Sequence, residues 1–148
     1  MDQKCEKSDV FSTDELFELI QSSRSLETFY EDAGENLSGI RAYEYLAKLL
    51  DERNLTKQAV IEAANLERST GYLIFSGERN PKRDALLRIA LAMKLTLPET
   101  QRLLKMAQRG ELYPRNRRDA AVIYGIHHRL DLVEIEMLLD GIGEALLT

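Results

Sequence analysis

The chain has no tryptophan, one cysteine and only 7% aromatic residues. With so few rings, burial falls to Leu, Ala and Ile, as in small helical proteins. The one thiol, Cys5, lies in a polar N-terminal segment and has no partner for an internal disulfide. No Cys/His grouping has metal-ligand spacing. His127 and His128 are adjacent, so on a helix they point about 100° apart and cannot chelate one ion together. The first residues, MDQKCEKSDV, lack the apolar stretch of a secretion signal, and no apolar run approaches the ~20 residues that span a bilayer. Strand-type alternation, repeats and low-complexity tracts are missing. So are a nucleophile elbow, a P-loop and a dinucleotide fingerprint; GELYP and DGIGE lack the strand–loop–helix context of a phosphate loop. These absences predict a soluble, cytoplasmic, all-α protein that is not an enzyme, needs no cofactor or metal and enters no membrane.

What is present is enough for a real core. The 148 residues are 44% hydrophobic and 30% charged, which fits one domain, or one domain with an appendage. The net charge of −5 is unevenly spread. Residues 1–37 hold 3 basic and 10 acidic side chains, net −7; residues 38–97 hold 10 and 7, net +3; residues 98–148 hold 7 and 8, net −1. An acidic N-terminal segment is therefore joined to a mildly basic one. A net +3 neutralises few phosphates and predicts modest non-specific affinity for a nucleic acid.

Capping signals and apolar periodicity divide the chain into helices. Ser12 or Thr13 caps a first helix with Leu16, Phe17, Leu19 and Ile20 on one side. A short second helix runs from Leu26 to Ala33, stopped by Gly34, and Leu16, Phe17, Ile20, Phe29 and Tyr30 predict that this pair docks on the core. Ser38 caps a helix from Gly39 to about Arg53, with Ile40, Tyr43, Leu46, Ala47, Leu49 and Leu50 as its buried stripe. Asn54 suits a left-handed ending. Thr56 caps Lys57 to Ala64, and a further helix spans Arg68 to Ser76, closed by Gly77. Lys82 to Lys94 is strongly apolar and reads as the central strut. Thr96 and Glu99 form a capping box with Pro98 in the first turn of a helix ending near Gly110. Asn116 to Arg129 and Leu132 to Asp140 complete the chain, Asp131 capping the last. Val122, Ile123, Ile126, Ile135, Leu138 and Leu139 predict that this C-terminal pair completes the core and also joins two copies.

Leu55 to Leu97 holds the most informative pattern: Leu55-Thr56-Lys57 opens one helix, Arg68-Ser69-Thr70 the next, then come Gly77, Arg79-Asn80-Pro81 and Leu86-Leu87-Arg88-Ile89-Ala90. In this order and spacing the stretch resembles the Xre/Cro/phage-repressor helix-turn-helix family, without a gap over roughly 45 positions. The resemblance implies a five-helix, lambda-repressor-like domain over residues 38–109, flanked by an acidic helical extension (1–37) and a C-terminal helical pair (110–148). It implies a transcriptional regulator that binds double-stranded DNA, with the helix from Arg68 to Ser76 in the major groove. Base-reading positions then fall on Arg68, Ser69, Thr70, Tyr72 and Leu73. Arg68 suits the O6 and N7 of guanine, and Leu73 a thymine methyl. Lys57 takes the place of a first-helix phosphate contact, flanked by Gln58, Arg79, Asn80 and Lys82. The two-fold operators of such proteins imply a homodimer.

Three positions depart from the family pattern. Gly71 stands where an Ile or Val is usual, which predicts either a thin place in the core that alanine would fill or a close helix approach where alanine would clash. Glu67 replaces a Ser or Thr cap. Tyr72, Leu73 and Phe75 make the reading helix unusually apolar, so a protein-interaction adaptor is the rival function and an antitoxin-like protein a third. Arg115, Arg117 and Arg118 form a second basic cluster at a helix start, where cations oppose the helix dipole. Pairing with acids and contact with phosphate are both open to them.

Overall fold

The computed structural model describes residues 11–33 and 42–148, and among these the chain is all-helical. The helices are α1 (Thr13–Ser22), α2 (Leu26–Ala33), α3 (Ala42–Glu52), α4 (Lys57–Ala63), α5 (Arg68–Ser76), α6 (Arg83–Ala92), α7 (Leu97–Met106), α8 (Arg117–His127) and α9 (Leu132–Gly141). Cys5, Gly34, Ser38, Gly39 and Ile40, to which the sequence assigns roles, lie outside the described residues. Among the described residues no helix is long and apolar enough to cross a membrane.

Local chemistry starts the helices. Ser12, Thr96 and Asp131 each accept from the backbone N–H three residues on, and Glu15, Glu99 and Glu134 return the bond to complete capping boxes. Thr56 caps α4 and Asn116 caps α8 in the simpler way. Five helices end on a non-glycine residue in the left-handed region: Asn54, Asn65, Lys94, Gln108 and Arg129, with φ from 54 to 59°. In each case the following residue donates back into the last helical turn, as in Leu66 N–H to the Ile61 carbonyl at 3.2 Å and Leu95 N–H to that of Ala90 at 3.0 Å. These bonds satisfy carbonyls that a helix end would leave bare.

A single buried cluster runs from Tyr45 to Leu147. At its centre is α6, which packs on α4, α7 and α9 and buries Leu86, Leu87, Ile89, Ala90 and Leu91. Each such side chain, removed from water, stabilises by about 1.5–3 kcal/mol. The partners of α6 supply Val60 and Ile61, Leu103 and Leu104, and Ile135 and Leu139. Val122, Ile126, Ile135 and Leu139 are all inside this core, so they cannot also join two copies; that expectation does not hold for them. On α3 the buried face is Tyr45, Leu46, Leu49 and Leu50, while Tyr43 and Ala47 face outward. Between α8 and α9, Gly125 takes a close approach: a Cβ there would run into the Ile135 side chain.

The N-terminal pair buries less of its apolar content than the sequence predicts. Helices α1 and α2 pack on each other, no residue of α1 is buried, and Phe17, Ile20, Leu26 and Tyr30 are all exposed. Phe29 and Ala33 are buried but are not part of the main cluster. Counting apolar residues shows that a segment can be buried, not against what.

Charged residues tie the C-terminal hairpin to α6 by a reciprocal exchange. Arg83 and Asp84 open α6; Arg118 and Asp119 lie in the first turn of α8. Arg83 binds both oxygens of Asp119, at 3.1 and 2.9 Å, and Arg118 binds both oxygens of Asp84, at 3.2 and 2.9 Å. Two-pronged pairs of this kind fix orientation as well as distance. Arg118 also donates to the carbonyls of Ala145 and Leu146, and the Thr148 N–H donates to Asp84, so the last residues are strapped over the exchange with Leu147 buried beneath them. Arg117 reaches the Ile142 carbonyl. Structural pairing thus accounts for Arg118.

Burial pushes the Asp84 carboxyl up, but the Arg118 hydrogen bond, the Thr148 N–H and the charges of Arg118 and Arg83 outweigh it and hold Asp84 below its ordinary value of 3.8. The same hydrogen bond holds Arg118 above its ordinary value, against its own desolvation. A carboxyl lowered on folding stabilises fully above its unfolded value, and the contribution is lost as pH falls through the folded one. Asp84→Asn should therefore cost about 1–3 kcal/mol at neutral pH, the scale of a charge-assisted hydrogen bond. The difference between variant and wild type should shrink as pH falls below 3.8. Urea midpoints measured across that range check this; a pH-independent difference would show that the carboxylate charge is not what holds the strap.

Candidate nucleic-acid interface

The segment 56–83 presents exposed polar side chains above buried apolar ones. Helix α4 and helix α5 are joined by Ala64 to Glu67, and they pack directly on each other. Two devices hold the turn. Val60, Ile61, Ile74 and Phe75 sink into the core, with Leu66 packed against it. Arg88, from the middle of α6, donates to the carbonyls of Ala64 at 2.9 Å and Asn65 at 2.8 Å, and to that of Leu147 at 3.0 Å. A guanidinium at the end of α4 meets carbonyls that have no helical partner and suits the negative end of the dipole. One side chain therefore clamps the α4–α5 turn and the C-terminal strap to the same point.

The residues singled out by sequence fall on the outer side of this pair. Lys57 and Gln58 open α4 and are exposed, with Gln58 Nε2 3.5 Å from Glu62. Arg68 and Ser69 open α5 and are exposed; Arg68 makes no hydrogen bond or ion pair among the described residues. Thr70 is half-buried and donates its hydroxyl to Glu67 at 3.0 Å. Glu67 stands at the cap position without capping through its side chain, and holds Thr70 instead. Tyr72 is 38% exposed and Leu73 half-buried. Arg79, Asn80 and Lys82 follow α5 on exposed chain. Lys57, Arg68, Arg79 and Lys82 are interspersed with Glu62, Glu67 and Glu78, so the face is only weakly positive.

Phe75 belongs to the core, 3% exposed, rather than to the outer surface. It is a member of the main buried cluster. The apolar part of the outer face shrinks to Tyr72 and Leu73.

The turn after α5 is built around Gly77, whose φ of 86° ends the helix in the left-handed conformation. The Tyr43 ring lies so close to Gly77 that a Cβ would collide with it. The Leu73 carbonyl then gathers the N–H groups of Glu78 and Arg79, at 3.0 and 3.1 Å. Pro81 is buried, and its carbonyl accepts from Arg109 at 2.9 Å. These contacts hold Arg79, Asn80 and Lys82 at a fixed place beside α5. At the far end of α3, Arg53 pairs with Glu99 at 2.7 Å. Burial pushes Glu99 up, but the Thr96 N–H and the Arg53 guanidinium hold it below its ordinary value.

The clamping role of Arg88 and the bond between Glu67 and Thr70 were not visible in the sequence. The signal for Arg88 was a single cation within an otherwise apolar run. Such a residue must find acceptors inside the protein. Compared with protein-family models, with curated proteins and with solved structures, the chain finds no match in any of the three.

Gly71 is not a gap. A Cβ built there would lie 2.6–2.8 Å from Cγ1, Cδ1 and Cγ2 of Ile61, so the α4 side chain already occupies the space. Ile61 is branched at Cβ and 2% exposed, so it has little freedom to withdraw. The expected result reverses the one drawn from propensity: Gly71→Ala should destabilise by about 1–3 kcal/mol through overpacking. Chemical denaturation checks it. Ile61→Ala should cost less in the Gly71→Ala background than in the wild type, and strict additivity of the two changes would rule out this contact as the cause.

Proposed function

We propose that the chain is a sequence-specific DNA-binding protein, a transcriptional regulator of the repressor-like helix-turn-helix type. In this proposal α3 to α7 form the five-helix domain, α4 and α5 the helix-turn-helix, and α5 lies in the major groove. The observation that carries it is the arrangement of α5. Its inner side is sunk into the core, while Arg68, Ser69 and Tyr72 at its start stand outward and Arg68 has no partner among the described residues. An arginine held free at the start of a rigid helix is placed to bind the O6 and N7 of guanine. Thr70 serves less directly, since its hydroxyl is held by Glu67.

Around the helix, Lys57 and Gln58 would meet one phosphate strand, and Arg79, Asn80 and Lys82 the other side. Phosphate contacts set register and base contacts set specificity. With three carboxylates among these cations, non-specific affinity would be modest and selectivity would rest on few base contacts. A homodimer on two half-sites one helical turn apart belongs to the proposal. Its surface would have to lie outside the side chains already committed to the core.

A second function, a protein-interaction adaptor or an antitoxin-like protein, is favoured by one observation: Tyr72 remains exposed beside Leu73 on the same outer face. Side-chain losses separate the two. On DNA, Arg68→Ala should cost about 1–3 kcal/mol on the preferred sequence and relax the preference at one base pair. Lys57→Ala should weaken binding to all sequences alike and lower the salt slope by about one. Gel shifts against a randomised duplex pool, at two salt concentrations, check both. If the wild-type chain shows no salt-sensitive binding to any duplex, the DNA proposal fails, and Tyr72 and Leu73 become the positions to test against proteins.

A further inference from the structure

The basic cluster at the start of α8 is only partly explained by internal pairing. Arg118 is satisfied by Asp84 and two tail carbonyls. Arg117 has a side chain 69% exposed, touching only the edge of Glu144 at 3.8 Å and one carbonyl at 3.1 Å. Arg115 is exposed and makes no hydrogen bond or ion pair among the described residues. Cations at a helix start oppose the dipole, so neither residue is placed there by the needs of the helix.

Their position is set by α6. Arg83 directly follows Lys82 and binds the carbonyls of Gly110 and Glu111, at 2.8 and 3.0 Å, besides pairing with Asp119. Arg109 binds the carbonyl of Pro81. The segments 79–83 and 109–119 are thereby laced into one edge. An open cleft of about 440 Å³ lies along it, with Arg83, Gly110, Asn116 and Arg117 among its walls. Arg117 lines this cleft with the carboxylates of Asp119 and Glu144, and exposed Arg115 lies two residues before it. Tyr113 is 55% exposed.

We propose that Arg115 and Arg117 contact the phosphate backbone of double-stranded DNA, extending the contact of Lys82 outward onto the C-terminal helical pair. The inference rests on the DNA reading of α5 and adds a second element to it. Its support is charge complementarity. Exposed Arg115 and Arg117, cations of the kind that neutralise duplex phosphates, stand on a segment bonded to the one that carries Lys82, and the carboxylates nearby leave room for only a few phosphates.

Phosphate contacts carry no sequence information, so the test needs no operator. The full chain is titrated into a fluorescent random-sequence duplex several helical turns long, at several salt concentrations. Arg115→Ala and Arg117→Ala should each raise Kd by roughly three- to tenfold and lower the slope of log affinity against log salt by about one. Arg115→Lys, which keeps the charge, should keep the slope. Because Arg115 makes no hydrogen bond or ion pair among the described residues, the melting temperature of Arg115→Ala should not change, which separates a lost contact from a lost fold. Salt-sensitive wild-type binding with Kd and slope unchanged in both alanine variants would overturn this inference and leave α5 as the reader. No salt-sensitive binding by the wild type would overturn both.

Discussion

Helix α6 is buried on nearly every side, and its three charged residues must therefore be satisfied within the protein. Each is satisfied by a different neighbour. Arg83 takes the Gly110–Glu111 corner and Asp119; Asp84 takes Arg118 and the Thr148 N–H; Arg88 takes the end of α4 and the carbonyl of Leu147. Leaving one of these half-buried charges without its partner would cost about 1–3 kcal/mol. The apolar face of α6 supplies most of the burial energy, but burial has no direction. The charges orient the neighbours: the α4–α5 turn on one side, the C-terminal hairpin and strap on the other. Removing the core would unfold the chain, whereas removing these pairs would let packed helices slip relative to one another.

This arrangement connects stability to the proposed function. A helix that reads base edges has to be held to within a fraction of an ångström, and exposed loops cannot do that. Here α5 is fixed from beneath by Ile74 and Phe75, from the side by Ile61 pressed into the space over Gly71, and at its entry by Arg88. A glycine, weak in isolation as a helix former, permits the close crossing of α4 and α5. The same device recurs at Gly125 against Ile135, where α8 meets α9. The outer face keeps few apolar groups once Phe75 is assigned to the core.

Much of the architecture was legible because its causes are local. Thr56, Thr96 with Glu99, and Asp131 with Glu134 are hydrogen-bonding choices made within four residues, so caps and helix starts could be read from spacing. The bounds of α5, Arg68 to Ser76, followed from the turn chemistry on either side. Helix ends at Lys94, Gln108 and Arg129 were less visible. Those side chains have no preference for the left-handed region, and it is the packing of the next residue that imposes it.

The sequence by itself determined the helical class, the order of the elements and the outward set around α4 and α5, because periodicity and capping depend on neighbours along the chain. The tertiary structure alone decided which charges are spent internally. Arg118 and Arg115 look alike in sequence, three residues apart, yet one is locked to Asp84 and the other stands free, since the partner that separates them is 34 residues away. It likewise decided that Gly71 is a contact and not a void, and that the apolar residues of α1 stay exposed. A missing side chain or an apolar one has no meaning until the chain brings something opposite it.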